Sequence, residues 1–355
     1  MTNGANPLPT RRDVLTLLGA GALAAAVPPA LADEASPVTP DLVEAAKREG
    51  QVMFLSAADV LLMQKIVAAF QAKYPGIKVD AQRTGSERIF QRLDQEYGSD
   101  IHVVDVVESS DAAHFLVWKE RGWLAQYVPE DVARFWSPAD RDKDGLYASF
   151  RTSLSAMGVN TKLVKPEDRP KSFEDLLDPR WRGKMVKAHP GYSGVVMTST
   201  FLLVRELGWG YLEKLGQQKV MHVQSATEPG KKLAQGERAV AVDGSDYVIL
   251  DLQQKGNPVA PIYPDQGTPL VPIPSGVLAQ APHPNAARLF QSFLFSLEAQ
   301  QMLIDVGNAH SWHPEAKEKA GRKPMSEMKL WRADPAETLA MSEEIRRKYA
   351  EIFGT

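Results

Sequence analysis

The feature that most constrains the fold is an order that repeats along the chain: a short apolar strand, a turn rich in small hydroxyl side chains, and a helix. Strands predicted at residues 51–55, 77–81 and 101–107 lead into turns that contain Ser56, Ser86 and Ser109. Short connections through helices require parallel strands, whose carboxyl ends meet at one edge of a sheet. Ligands of such folds bind at that edge. The sequence therefore predicts an α/β protein with its chemistry there.

The same order recurs around Ser193. Residues 184–189 alternate as a strand does, and Gly191-Tyr192-Ser193-Gly194 then opens a helix. The start of a helix offers free backbone N–H groups and the positive end of the helix dipole, so it can hold an anion without a charged side chain. A capped helix with nothing bound is the alternative. The similar turns elsewhere favour a binding site.

The N-terminal segment has the pattern of an export signal. Arg11 and Arg12 precede an apolar run over residues 14–27, and Ala30-Leu31-Ala32 follows as a cleavage site. We expect residues 1–32 to be removed on export to the periplasm. The paired arginines favour the twin-arginine route, with Sec export as the alternative. The sequence has no cysteine, so we expect neither a lipoprotein anchor nor a disulfide.

Length and charge narrow the function further. The chain that remains after the signal is too long for one compact core, and this length predicts two lobes. The composition is 44% apolar with a formal net charge of −3, and a chain without a basic field is not expected to bind nucleic acid. We expect a monomer without a cofactor.

Several motifs together resemble a known family. They are Tyr74-Pro75-Gly76-Ile77-Lys78-Val79, Asp175-Leu176-Leu177-Asp178-Pro179-Arg180-Trp181-Arg182-Gly183-Lys184, Gly236-Glu237, and residues 281–290. Over about residues 40–315 the chain resembles the family 1 extracellular solute-binding proteins of ABC importers, and most closely their ferric-iron-binding branch. The resemblance implies a type II periplasmic binding fold, in which two α/β lobes joined by crossing strands close over a ligand. It also implies a binding protein that delivers its ligand to an inner-membrane permease, and not an enzyme.

The same resemblance implies the lobe boundaries. The chain would leave the first lobe near Ser153 and return near Pro272, so that residues 40–152 and 272–355 form lobe 1 and residues 153–271 form lobe 2. Prolines 269, 272 and 274 suit a stiff extended return and not a central strand.

The turns at the strand ends, together with the residues that close the cleft from the second lobe, form the predicted binding site. Its members are Ser56, Ala57, Ser86, Glu108, Ser109, Tyr192, Ser193, Gly194, Thr227, Asp246 and Tyr247. Hydroxyl and amide donors are expected to hold a small organic or phosphorus-containing anion without a dedicated lysine or arginine. Asp246 or Glu108 would receive an amine if the ligand has one. Tyr192 and Tyr247 have an alternative role as half-buried tyrosines at a lobe edge.

Ferric iron is the alternative ligand. The resemblance implies that two adjacent tyrosines ligate the metal as phenolates, because hard Fe(III) suits anionic oxygen. This chain has Tyr247 followed by Val248. Tyr192, Glu108, Glu228 or Asp246 would therefore have to complete the ligand set.

Patterns typical of enzymes or of metal sites are incomplete. Gly191-Tyr192-Ser193-Gly194 does not have the spacing of a hydrolase nucleophile elbow. His310 and His313 are three residues apart without the carboxylate of a zinc protease, and we interpret them as surface histidines. Residues 140–145 resemble a calcium loop but lack its closing glutamate, and we interpret them as a polar turn. A periplasmic hydrolase is thus the less favoured function.

Overall fold

The protein is described by a computed structural model that covers residues 35–355. The predicted export signal of residues 1–32 lies outside the described residues. The described strands are β1 Gln51–Ser56, β2 Lys78–Arg83, β3 Val106–Glu108, β4 Ala148–Leu154, β5 Met157–Asn160, β6 Met185–Ala188, β7 Met221–Val223, β8 Val240–Ala241, β9 Val259–Ile262, β10 Thr268–Val277 and β11 Leu330–Arg332.

Helices cover both sheets that these strands form. They are α1 Pro40–Glu49, α2 Val60–Lys73, α3 Ser86–Gly98, α4 Ala112–Glu120, α5 Glu130–Phe135, α6 Gly194–Leu207, α7 Trp209–Gly216, α8 Glu228–Ala234, α9 Asp246–Gln254, α10 Pro284–Phe295, α11 Leu297–Asp305 and α12 Pro335–Phe353. None of these helices is both long and apolar enough to cross a membrane.

The first lobe is built on the sheet with the order β11-β10-β3-β1-β2, in which β4 also pairs with β10. Strands β1, β2 and β3 are parallel, as the repeated strand-turn-helix order predicts. The third strand is shorter than predicted, because Ile101 and Val103 point to solvent and pairing begins only at Val106. The turns after these strands all lie at one edge of the sheet.

The second lobe is built on the sheet with the order β7-β6-β8-β5-β9. Strand β6 is parallel to both β7 and β8, whereas β5 is antiparallel to β8 and β9. The turns that follow β6, β7 and β8 therefore leave this sheet at one edge, which faces the corresponding edge of the first sheet across a cleft.

Strands β4 and β10 connect the lobes. They pair antiparallel, and the predicted crossing points meet within this ladder, where Ser153 is opposite Val271 and Pro272 is opposite Thr152. The prediction that residues around Pro272 do not form a central strand is wrong: β10 is paired along its length. The strand accommodates its prolines with a register shift between Ile273 and Pro274.

The two lobes have separate apolar cores. Phe54, Phe70 and Phe290 belong to the first core, where the Phe70 ring meets Phe290 edge-on at 5.0 Å between centroids. Helices α10 and α11 contribute to this core, as expected for a return to lobe 1. The second core includes Trp181 and Phe201.

Helix α12 does not follow the predicted division of the chain. Its Ile345 belongs to the second core, together with Trp331 of β11. The helix packs on α6 and α7 of the second lobe and also on α4 of the first lobe. The assignment of all of residues 272–355 to lobe 1 therefore fits α10 and α11 but not α12.

Candidate functional site

A cavity of about 180 Å³ lies between the lobes, where the turns from both sheets meet. The first lobe lines it with Ala57, Arg83, Gly85, Ser86, Glu87, Arg88, Ser110 and Arg151. The second lobe lines it with Tyr192, Ser193, Val195, Ser245, Tyr247 and residues 224–227. Both lobes must come together to form this cavity.

The starts of three helices face the cavity. Helices α3, α6 and α9 begin after Gly85, Ser193 and Ser245, and none of these N-cap residues makes a side-chain capping bond. By contrast, Thr39 and Asp59 cap α1 and α2, which do not begin at the cavity. The Gly194 N–H donates to the Ser86 hydroxyl. The other first-turn amides at the cavity are not satisfied by a side-chain cap and provide donors for an anion.

Arginines supply positive charge to the cavity. Within residues 35–355, neither Arg83 nor Arg88 forms an ion pair or a side-chain hydrogen bond. Arg88 is in the first turn of α3, where a cation is opposed by the helix dipole unless an anion binds nearby. The cavity therefore has positive charge that the expected site, one without a dedicated lysine or arginine, does not include. The position of Arg88 in a first turn was the sequence signal for it.

Arg151 has a different environment. Its guanidinium lies 2.8 Å from the Glu108 carboxylate, and both side chains are buried. The hydroxyl of Ser56 and the N–H of Ala57 also donate to Glu108, at 2.6 and 2.7 Å. Glu108 is thus occupied by its neighbours and neutralises Arg151, so the net positive charge of the cavity comes from Arg83 and Arg88.

Tyr247, the second residue of α9, offers a phenol to the cavity. Burial raises the pKa of Tyr247 above its usual value, against the opposing effect of Arg151 and Arg83. The phenol is therefore protonated at neutral pH and can donate a hydrogen bond. Tyr192 is half exposed at the rim.

Glu87 is the carboxylate that lines the cavity, and its ion-pair partners lie outside the cavity. His114 and Arg346 of α12 lie 3.6 and 3.4 Å from it. Burial opposes the charged form, but these partners lower the pKa of Glu87 below its usual value. Glu87, Asp111 and His114 also form the one group of acids and histidines, among the described residues, close enough together to hold a metal ion.

The lobes touch at Gly194. A Cβ atom at this position would overlap the Cβ of Asp111 and lie 2.5 Å from the carbonyl oxygen of Ser110. The Gly194 N–H also donates to the Ser86 hydroxyl across the cleft at 3.0 Å. Only glycine permits this approach, so the structure represents the lobes closed on one another.

The predicted site residues divide into two groups. Those that line the cavity are Ala57, Ser86, Tyr192, Ser193, Thr227 and Tyr247. Those behind its wall are Ser56, Glu108, Ser109, Gly194 and Asp246. Ser109, for example, lies 3.3 Å from the Nδ1 atom of His114 and is buried.

Asp246 does not have the environment of a ligand contact. It is fully buried, accepts hydrogen bonds from the Leu154 N–H and the Tyr263 hydroxyl, and lies 3.0 Å from the Nε2 atom of His310. A role in receiving a ligand amine does not fit this burial. The interpretation of His310 and His313 as surface histidines is also wrong, because both are buried.

The two lobes and the cleft between them define a binding protein of the kind that closes over a small ligand. The chain belongs to the bacterial extracellular solute-binding protein family, whose sequence profile matches residues 57–301. It is similar to iron uptake protein A1 of Synechocystis sp., at 24% identity over 258 residues that cover 67% of this chain and 69% of that protein.

Two solved structures have the same fold. The periplasmic binding protein AfuA from Actinobacillus pleuropneumoniae, with fructose-6-phosphate bound, has a TM-score of 0.78 at 20% identity, covering 86% of this chain and 99% of its own. Iron-bound HitA from Pseudomonas aeruginosa has a TM-score of 0.73 at 20% identity, covering 84% and 99%. The predicted type II periplasmic binding fold is thereby confirmed.

Proposed function

We propose that this protein is the periplasmic component of an ABC importer and that its ligand is a small organic anion, in the first instance a phosphorylated one. A permease in the inner membrane receives the ligand, and the binding protein acts as a monomer. The observation that carries the proposal is the pair Arg83 and Arg88, which line the cavity without a carboxylate partner among residues 35–355.

The donors around these arginines suit an anion with several oxygens. The helix starts at Ser193 and Ser245 supply backbone N–H groups, and the protonated phenol of Tyr247 supplies a further donor. A phosphate group accepts many hydrogen bonds and is favoured at helix N-termini. AfuA, which has the same fold, binds fructose-6-phosphate, and this precedent supports a phosphorylated ligand.

Ferric iron is the second candidate, because Tyr192 and Tyr247 both line the cavity and HitA binds iron in the same fold. Glu228 does not line the cavity, and its carboxylate accepts from the Ser225 N–H at 2.8 Å. The anion is preferred for two reasons. Tyr247 is followed by Val248, so the pair of adjacent tyrosines is absent, and unpaired arginines repel a cation.

Hydrolysis is not part of the proposal. A serine nucleophile needs a base within hydrogen-bonding reach, and within the described part of the chain Ser193 makes no hydrogen bond to a histidine. We expect no turnover of p-nitrophenyl esters or p-nitrophenyl phosphate by the purified protein.

The decisive experiment identifies what the protein holds. Protein purified under mild conditions is denatured, and the released material is measured by mass spectrometry and by metal analysis. We expect close to one organic anion per chain. One ferric ion per chain, with a phenolate-to-metal absorption band, would replace the anion with the second candidate.

A further inference from the structure

A second, larger cavity opens beside the anion cavity. It has a volume of about 510 Å³ and also lies between the lobes. Arg83, Thr227 and Tyr247 line both cavities. The two spaces are therefore neighbouring compartments of one cleft, an inner one of 180 Å³ and an outer one of 510 Å³.

The outer compartment has apolar walls from both lobes. Val60, Leu61 and Val306 line it from the first lobe, and Val248 and Leu252 line it from α9. Val60 and Leu61 are adjacent in the first turn of α2 and are each 48% exposed. Apolar surface left open in this way gains free energy when a ligand covers it.

The charged groups at the outer compartment do not make it a second anion site. Asp59 accepts a hydrogen bond from the Leu61 N–H as the cap of α2. Asp251 and Lys255 pair with each other at 2.7 Å. Lys231 forms no ion pair among the described residues, but it and Lys255 are matched in number by Asp59 and Asp251, so apart from the shared Arg83 the outer compartment has no net charge.

We infer that the ligand is an amphiphilic organic anion, with its anionic group beside Arg83 in the inner compartment and an apolar portion of several carbon atoms in the outer one. The inference rests on the proposed function and names the ligand class more narrowly. The shared residues set the geometry: a ligand held by Arg83 passes Tyr247 and Thr227 to reach the apolar walls. Free inorganic phosphate and ferric iron would leave those walls uncovered.

The experiment is a calorimetric titration of the whole protein, freed of bound ligand, with inorganic, ethyl, butyl and hexyl phosphate. Acetate, butyrate and hexanoate form a second series that distinguishes a carboxylate from a phosphate as the anionic group. In the series that binds, we expect the affinity to rise by up to about fourfold for each added methylene group, because each group is transferred from water to an apolar wall of the outer compartment.

A pair of variants tests the location. Leu61→Ser is expected to lower the ratio of hexyl to inorganic phosphate affinity by about fivefold, since about half of a leucine side chain would be covered by the ligand. Leu163→Ser is the matched control, because Leu163 is 56% exposed and lies outside both compartments. It is expected to leave the ratio unchanged.

The possible results test the outer compartment and the anion proposal separately. If binding does not strengthen with chain length, the outer compartment does not hold an apolar portion of the ligand. The same follows if Leu163→Ser lowers the ratio of hexyl to inorganic phosphate affinity as much as Leu61→Ser does. Either result leaves the anion proposal intact. Failure of both series to bind overturns the anion proposal and the inference together. A ratio that falls only in Leu61→Ser supports both.

Discussion

Replacing Arg83 with glutamine tests the electrostatics of the site most directly. Arg83 has no carboxylate partner among the described residues, so Arg83→Gln removes a charge without leaving a buried countercharge behind. A hydrogen bond between charged groups contributes about 1.5–3 kcal/mol. We therefore expect the affinity for an anionic ligand to fall about 10- to 100-fold, at about 1.4 kcal/mol for each factor of ten.

The assay is calorimetry with butyl phosphate at two salt concentrations, combined with urea unfolding. Arg83→Gln should weaken binding, reduce its dependence on salt, and leave the free energy of unfolding nearly unchanged. The control is Arg347→Gln, because Arg347 is 60% exposed and, among the described residues, pairs only with Glu351 on the surface of α12. Equal affinity of Arg83→Gln and the wild-type protein would refute the reasoning.

Arg151→Gln provides the contrast within the same cavity. Its guanidinium is the cation beside the buried carboxylate of Glu108, and removing one partner of a buried ion pair destabilises a protein by about 3–5 kcal/mol. The expected result is a lower free energy of unfolding in urea, in addition to any loss of binding. Unchanged stability would mean that Glu108 finds another partner.

Further substitutions address the remaining features of the cleft. Ser193→Ala should lower the affinity for an anionic ligand by about tenfold, because one hydrogen-bond donor is lost. Tyr247→Phe should abolish binding, together with any phenolate-to-metal absorption, only if iron is the ligand. Gly194→Ala should prevent closure, so that small-angle scattering shows no decrease in radius when ligand is added to saturation. Burial opposes protonation of His310, but Asp246 raises its pKa above the usual value. The stability from this pair is therefore complete below about pH 6.5 and is lost as the pH rises through the raised folded pKa, a decline in urea unfolding that His310→Gln should not show.

The turn chemistry could be predicted from the sequence because it is local. Small hydroxyl residues after apolar strands indicate strand ends and helix starts, and Ser86, Ser193 and Thr227 all line the cavity. The sequence predicts a third strand over residues 101–107, which is longer than the observed β3. The apolar character of Ile101 and Val103 does not reveal that these side chains point to solvent.

The partners of charged residues could not be predicted in the same way. Glu108 and Asp246 have the chemistry of ligand contacts, yet Arg151 and His310 occupy them from distant parts of the chain. Arg83 at the end of a strand is equally typical of a solvated surface. Which charges are paired depends on the tertiary fold, and that pairing decides the sign of the charge in the cleft.

Helix α12 gives the cleft a third connection besides β4 and β10. It packs on α6 and α7 in one lobe and on α4 in the other, and its Arg346 meets Glu87 at the rim of the cavity. Opening the lobes must therefore break or slide these contacts, and their free energy adds to the measured affinity although the helix touches no ligand. Two relatives with identical cavity residues can accordingly differ in ligand affinity through their C-terminal helices alone, so ranking their ligands requires the sequence of α12 as well as that of the cavity.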